Sequence, residues 1–259
     1  MLLVCPRNYL DAVDGARTCL RAAREMGMQR LKIQLPILPP ETSLEDALKA
    51  DGAAFWPGGV AQSHRKGLQP LMTELTRGYD AEFCGMIDSP SRSLGVWRLA
   101  GGSITAVSNV ADLSFETFAS LCDGEFGSAP TRSDHTLLLI NPRLTNSRAI
   151  GQPWQRSLRR RAVELIDDAG WVWAYRCRPV PAPDGITSLG VAVSTELDVE
   201  FGGREGAGKE LQTSCVCADG ELLAATTTPA QPPYTSRAGI IEARSMLVER
   251  RRRQRARPL

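Results

Sequence analysis

Lysine, histidine and long apolar runs are scarce in this chain, and the last two scarcities each argue against a class of function. Four lysines stand against 27 arginines, and there are two histidines in 259 residues. Neither histidine has Cys, Asp or Glu at metal-ligand spacing, which argues against a metal site. No run approaches the ~18 apolar residues that a membrane span needs. We therefore expect neither a metal centre nor a membrane-spanning segment.

Familiar catalytic and disulfide patterns are also missing. The seven cysteines are an odd number without C-x-x-C spacing, which is typical of free thiols in a reducing compartment. Cys215 and Cys217 lie two residues apart on one predicted strand face, where packing is favoured over a metal or redox role. No G-x-S-x-G nucleophile elbow occurs. We expect no cofactor and no catalytic residue, and enzymatic activity is less expected than binding.

Charge is distributed unevenly along the chain. The net charge is only +2, yet six arginines lie between positions 250 and 257, so the rest of the chain is net acidic. Residues 235–259 are predicted to form a basic helix and tail that either pack on the body with a solvated end or dock on an acidic partner or anionic membrane. An acidic body argues against nucleic acid as a partner. The predicted partner-binding residues are Arg250, Arg251, Arg252, Arg253, Arg255 and Arg257.

The stretch "GREGAGKE", residues 203–210, differs from a phosphate-binding loop by one residue. Glu210 stands where Ser or Thr would hold magnesium, and its charge would repel phosphate. The following "LQTSCVCADGELLAATTTP" alternates with period two and turns at Asp219-Gly220, which predicts a β-hairpin instead of the required helix. We interpret residues 203–210 as a glycine-rich connection that does not bind nucleotide.

Helix and strand patterns alternate up to about residue 180 and predict an α/β fold. Asn8 caps a first helix that Gly27 ends, and a later helix carries His64 on an exposed face and bends near Pro70. "HTLLLINP" is the clearest buried strand. "WVWAYRCRPV" is predicted to place its aromatic residues and one cysteine on one face: Trp171, Trp173, Tyr175 and Cys177. The expected architecture is Rossmann-like: a mixed, mainly parallel sheet with helices on both faces, a C-terminal β-hairpin and a basic helix.

Three segments follow from this pattern: an α/β domain over residues 1–201, a glycine-rich loop and hairpin over 202–234, and the basic C-terminal helix and tail over 235–259. Ligands of such sheets sit at the carboxyl ends of strands. Two strand ends carry suitable residues: "FWPGG" with Gly58 and Gly59, and "NPRL" with Asn141 and Arg143. These four residues are candidates for binding an anion if the two strands are neighbours. The alternative is that they only form tight turns.

The order of these segments resembles a known family. The resemblance rests on "P-x-N-Y" beginning at Pro6, "L-x-I-x-x-P" ending at Pro36, an "F-x-P" strand end, "LLLINPRL" and the aromatic strand. The chain is similar to a domain-of-unknown-function family of plant chloroplasts, algae and cyanobacteria. That family includes the low photosystem II accumulation protein three. The resemblance covers about residues 6–201. Its matching positions are Asn8, Tyr9, Gly27, Pro36, Pro57, Asn141, Pro142 and Arg143.

The resemblance implies an α/β domain, a plastid location and no established catalysis. The function we expect from it is binding to a larger assembly, as an auxiliary subunit or assembly factor of a photosynthetic membrane complex. The expected location is the chloroplast, in the stroma or at the stromal face of the thylakoid membrane. The alternative is a binder or enzyme of a phosphorylated small molecule at the strand-end crevice.

Overall fold

The computed structural model describes residues 2–3, 6, 8–39, 56–87, 93–127, 135–181, 187–194, 200–201, 211–218 and 221–229. The glycine-rich loop 203–210 and the predicted basic helix and tail 235–259 lie outside the described residues. In chain order the elements are β1 (Leu2–Leu3), α1 (Tyr9–Glu25), β2 (Arg30–Gln34), α2 (Gly59–Ser63), a π-helical turn (His64–Leu68), α3 (Gln69–Leu75), β3 (Ala81–Ile87), β4 (Leu94–Leu99) and β5 (Ile104–Ser108).

The second half of the chain adds two helices and six strands. They are α4 (Phe115–Cys122), β6 (Thr136–Ile140), α5 (Arg156–Ala162), β7 (Val172–Pro181), β8 (Thr187–Ser194), β9 (Glu200–Phe201), β10 (Leu211–Ala218) and β11 (Glu221–Pro229). Short 3-10 turns occur at Asp112–Ser114 and Ser147–Ala149, and a second π-helical turn at Val163–Asp167.

One mixed sheet organises the described part of the chain. Its nine strands follow the order β11-β10-β8-β7-β2-β6-β5-β4-β3. The four central strands, from β7 to β5, are parallel, and antiparallel strands extend the sheet on either side. The predicted hairpin β10–β11 continues this sheet, because β10 pairs with β8. The α/β class and the mixed sheet with a C-terminal hairpin are therefore confirmed.

Two hydrophobic cores cover the two faces of the sheet, as predicted. Successive strand residues point to opposite faces, so Leu138 and Ile140 of β6 pack in one core while Leu137 and Leu139 pack in the other. The first core is closed by α1 and α3, and the second by α4 and α5. None of the helices within the described ranges is long and apolar enough to cross a membrane.

Helix α1 begins and ends where its sequence signals lie. The Asn8 side chain accepts a hydrogen bond from the Asp11 N–H at 3.1 Å, and Gly27 has φ of +73° just beyond the last turn. Gly15 allows the helix to lie close to the sheet, because a Cβ there would be 3.0 Å from the Tyr175 Oη atom. Tyr175 is thereby fixed on the α1 face.

The predicted common face of the aromatic strand β7 is wrong. Trp173 pairs with Lys32 of β2, but Ile33 pairs with Tyr175, so Ala174 is an extra residue in a β-bulge. A bulge reverses the alternation of side chains. Tyr175 and Cys177 therefore pack in the core beneath α1, whereas Trp171 packs in the core beneath α4 and α5.

Candidate functional site

The carboxyl ends of β2 and β6 form the place where a sheet of this kind binds ligands. Of the described helices that follow β2, α3 lies on the face of the first core, and after β6 helix α5 lies on the opposite face. Chains that leave adjacent parallel strands towards opposite faces open a crevice between them. Asn141 and Arg143 were predicted to lie at this edge.

Asn141 joins the two strand ends. Its side-chain oxygen accepts a hydrogen bond of 2.7 Å from the Leu35 N–H, and its own N–H donates to the Ile33 carbonyl oxygen at 2.8 Å. Its φ of +51° lies in the left-handed region, which Asn tolerates better than most residues. These two hydrogen bonds therefore stabilise the ends of β2 and β6. This structural role of Asn141 does not depend on a bound ligand.

Arg143 lies two residues further along, with an exposed side chain. Its N–H donates to the Val110 carbonyl oxygen at 2.7 Å, and it forms an isolated parallel bridge with Ala111 beyond the end of β5. The Asp112 side chain accepts hydrogen bonds from the backbone and side chain of Thr145. The loop after β6 is thus tied to the loop after β5, which presents Arg143 at the carboxyl edge.

The glycine turn before α2 is built by local contacts. The Gly58 N–H donates to the Gln62 side-chain oxygen at 2.6 Å, and Gly59 has φ of +67°. A Cβ at Gly67 would be 2.6 Å from Ile37 and 2.7 Å from Trp56, so these two side chains meet there. The turn therefore adjoins the chain that leaves β2. Convergence of Gly58 and Gly59 with Asn141 and Arg143 on one anion stays a prediction.

His64 is buried, so the predicted exposed position of this side chain is wrong. Its ring lies 5.2 Å from that of Phe83 and 5.8 Å from that of Trp97, and burial lowers its pKa. The reason is the turn at His64–Leu68, where Gln69 donates to the His64 carbonyl oxygen in a π-helical bond. Pro70 has no N–H for the usual bond, so the turn widens and the exposed and buried faces shift.

His135 has a structural partner at the start of β6. Its Nε2 atom lies 2.9 Å from the Thr105 hydroxyl oxygen of β5. Cys217 is buried in the first core, as the packing interpretation expects. Within the ranges that the structure describes, no group of three or more His, Cys, Asp or Glu residues is placed to hold a metal ion.

A pair of buried cations was missed by sequence reasoning. The Lys32 Nζ atom lies 4.8 Å from the centre of the Trp173 ring, and the Arg176 guanidinium carbon lies 4.5 Å from the same point. Lys32 is 3% exposed and Arg176 is 4% exposed. The available signal was a lysine between Leu31 and Ile33 in a central strand, since both faces of such a strand are normally covered. We call Lys32, Trp173 and Arg176 the cation cluster.

A second missed feature is an exposed tryptophan beside α5. Trp154 is 76% exposed, and it precedes Arg156 and Arg159, whose side chains are also exposed. The turn Ser147–Ala149, which carries the exposed Arg148, packs against the same helix. We call these four residues the Trp154 surface.

A basic pocket of about 360 Å³ lies at the end of α1. Two of the three arginines that line it already have neighbours: Arg24 stacks at 5.4 Å over Tyr79, and Arg77 contacts the Glu74 carboxylate at 2.6 Å. Glu25 adds a further negative charge to its lining. The pocket is therefore less basic than its arginines alone indicate.

Comparisons with known proteins assign neither a family nor a function to the chain. No protein-family model matches the chain, and no curated protein or solved structure is significantly similar to it. The resemblance to the plastid and cyanobacterial family consequently stays a prediction.

Proposed function

We propose that this protein is a non-enzymatic binding protein that docks on a larger protein assembly through the Trp154 surface. The observation that carries the proposal is the 76% exposure of Trp154 beside arginines. Tryptophan and arginine are the residue types most enriched among those that dominate binding energy at protein interfaces. An exposed indole that becomes covered by a partner contributes a large apolar area in one contact.

The arginines of this surface favour an acidic partner. Of the residues that the structure describes, none forms an ion pair with Arg148, Arg156 or Arg159. By contrast, Arg160 and Arg161 on the same helix contact the Glu164 carboxylate at 3.4 and 3.0 Å. Unpaired guanidinium groups keep their donors available for a partner's carboxylates. They also accelerate the encounter with an acidic surface, in a manner that salt suppresses.

The assembly that we propose is a photosynthetic membrane complex, and the location is the plastid. Support for this part comes from the family resemblance alone. The basic tail, whose six arginines lie outside the described residues, belongs to the same proposal as a second electrostatic contact with the complex or with the membrane around it. Each arginine near an anionic membrane contributes about 1 kcal/mol, and salt screens this attraction.

Binding of the purified protein to solubilised thylakoid complexes, measured at low and high salt, tests the docking proposal. We expect Trp154→Ala to weaken binding about tenfold or more, because interface hot spots contribute about 2 kcal/mol or more. Arg156→Glu combined with Arg159→Glu should weaken binding and flatten its salt dependence. Leu10→Ala is the matched control, because Leu10 is 60% exposed on α1, on the opposite face of the sheet.

Equal binding by Trp154→Ala and the control would show that the docking site does not lie on the Trp154 surface. Deletion of residues 250–259 separates the two contacts. If that deletion alone abolishes the salt-dependent part of the binding affinity, the tail contributes the electrostatic attraction and the Trp154 surface contributes the salt-independent affinity.

A second candidate function is binding of a phosphorylated small molecule at the carboxyl edge. Two observations favour it. The segments that follow β2 and β6 lead to opposite faces of the sheet, and Arg143 lies beside the point where they separate. Calorimetric titration with sugar phosphates and nucleoside monophosphates tests it, using Arg143→Ala and, as control, Ala at the exposed Arg98 of β4. Binding that only Arg143→Ala weakens supports this candidate, and binding unaffected by Arg143→Ala removes it.

A further inference from the structure

The cation cluster places two positive charges against one indole ring in a buried part of the sheet. Lys32 is on β2, and Trp173 and Arg176 are on β7, with Lys32 in register with Trp173 and Gln34 in register with Arg176. The bulge at Ala174 brings Trp173 and Arg176 to the same face, because without it they would point to opposite faces. The cluster therefore depends on a specific irregularity in an otherwise regular pair of strands.

Lys32 has no counter-charge among the residues that the structure describes. Its neighbours there are the Trp173 ring and Arg176, and a nearby second cation makes its charge less favourable. Leu139, which is in register with Lys32 on β6, is apolar. A buried ammonium group without a counter-ion is strongly disfavoured, and proteins normally pair it or keep it neutral.

The hydrogen-bonding groups of the cluster are mainly donors. The Gln34 side-chain oxygen accepts from the Arg176 Nε and Nη2 atoms at 3.2 and 2.9 Å, which orients the guanidinium group. The Trp173 Nε1–H is buried, and no described group accepts its hydrogen bond. Lys32 supplies further donors. A ligand with several acceptor oxygens and a negative charge satisfies the Lys32 and Trp173 donors together.

We propose that the cation cluster binds a small anion, a carboxylate or a phosphate, through Lys32 and Trp173 beside Arg176. The site goes beyond the docking function and shares no residue with the Trp154 surface. It is also distinct from the glycine turn and Arg143. Gln34, the last residue of β2, lies at the carboxyl edge, so the cluster extends inward from the edge where ligands of such sheets enter.

Binding at this site should take up a proton. Burial, together with the charge of Arg176, lowers the pKa of Lys32 to about 7. A bound anion favours the protonated amine and raises this pKa again. Above about pH 7 the free protein must gain a proton in order to bind, so affinity should fall as pH rises through this range.

The test is isothermal calorimetry with inorganic phosphate and with succinate, at about pH 6 and about pH 8.5, on either side of the pKa of Lys32. Buffers of different ionisation enthalpy report proton uptake. We expect the wild-type protein to bind one of the probes, more tightly at the lower pH. The probe that binds distinguishes phosphate from carboxylate recognition. Lys32→Met should lose about tenfold or more in affinity.

Two further variants make the interpretation specific. Lys32→Arg keeps its charge at both pH values, so its binding should no longer weaken at the higher pH. Lys66→Met is the control, because Lys66 is exposed on the His64–Leu68 turn and should bind as wild type does.

Urea unfolding shows whether each variant is folded before its affinity is compared with that of the wild-type protein. Because Lys32→Met removes a buried charge, we expect it to be at least as stable as wild type towards urea when no anion is added. If it fails to fold, Trp173→Phe replaces it; that variant keeps an aromatic ring but loses the indole N–H, so affinity should fall severalfold. The proposal is overturned if the folded wild-type protein binds neither probe at either pH, or if the folded Lys32 or Trp173 variant binds as tightly as wild type.

Discussion

The side-chain oxygen of Asn141 accepts a hydrogen bond from the Leu35 N–H across the ends of two adjacent parallel strands. The N–H of Leu35, which follows the last residue of β2, thereby gains a partner beyond the regular ladder. Asn141 has a left-handed backbone where the chain leaves β6, and α5, which follows, lies on the opposite face of the sheet from α3. One amide thus holds together the point where the topology of the sheet changes direction.

Replacing Asn141 by Ala should lower the free energy of unfolding by about 1–3 kcal/mol. The change leaves a buried N–H without its acceptor and places a residue with Cβ at positive φ. Asn141→Asp keeps the acceptor and should lie closer to wild type, whereas Asn141→Gly relieves only the backbone and should be intermediate. Urea unfolding of the three variants checks this order. An Ala variant as stable as wild type would show that the hydrogen bond contributes nothing.

His64 should make the protein less stable in mild acid. Burial lowers its pKa in the folded state below the unfolded value of about 6.5, so the unfolded state binds more protons between those two values. Stability is therefore complete above pH ~6.5 and falls as pH decreases below it. His64→Phe should remove this part of the pH dependence while keeping a ring between Phe83 and Trp97. Urea unfolding of wild type and variant at several pH values across this range measures the effect. Identical pH dependence of the free energy of unfolding would show that His64 does not cause the acid destabilisation.

Gly67→Ala should destabilise the protein by about 1–3 kcal/mol through overpacking, despite the higher helix propensity of Ala. Its Cβ would be 2.6 Å from Ile37 and 2.7 Å from Trp56. Combining it with Ile37→Ala should restore part of the loss, because the second change makes room. Thermal unfolding of the single and double variants measures this coupling. Strict additivity would mean that the two positions do not contact each other.

Cys84 should react with iodoacetamide in the native protein well before Cys19, Cys122 and Cys177. Cys84 is exposed on β3, whereas the other three are buried. Burial raises the pKa of Cys122 to about 12 and raises the pKa of Cys19 and Cys177 further still, so these thiols carry almost no reactive thiolate at neutral pH. Peptide mapping by mass spectrometry after brief labelling identifies the sites, and denatured protein is the control. Native labelling of Cys19 or Cys177 at the rate of Cys84 would contradict their burial.

Local sequence signals predicted most of the elements of this fold. Asn8 and Gly27 bound α1, and Leu137 to Ile140 are apolar as a strand buried on both faces requires. The period-two pattern around Asp219-Gly220 predicted the antiparallel pair β10 and β11. Such signals are readable because each acts within a few residues, through backbone conformation or side-chain alternation.

Placement relative to distant residues was decided only by the tertiary structure. A π-helical turn before Pro70 turned His64 inward, and one extra residue in β7 placed Arg176 on the same face as Trp173 and Lys32. Both features shift a periodic pattern by a single residue, and one residue is enough to exchange buried and exposed faces. The sequence alone therefore determined the class of the fold and the strand-end loops. The cation cluster depended on pairing between β2 and β7, whose partner residues lie about 140 positions apart in the chain.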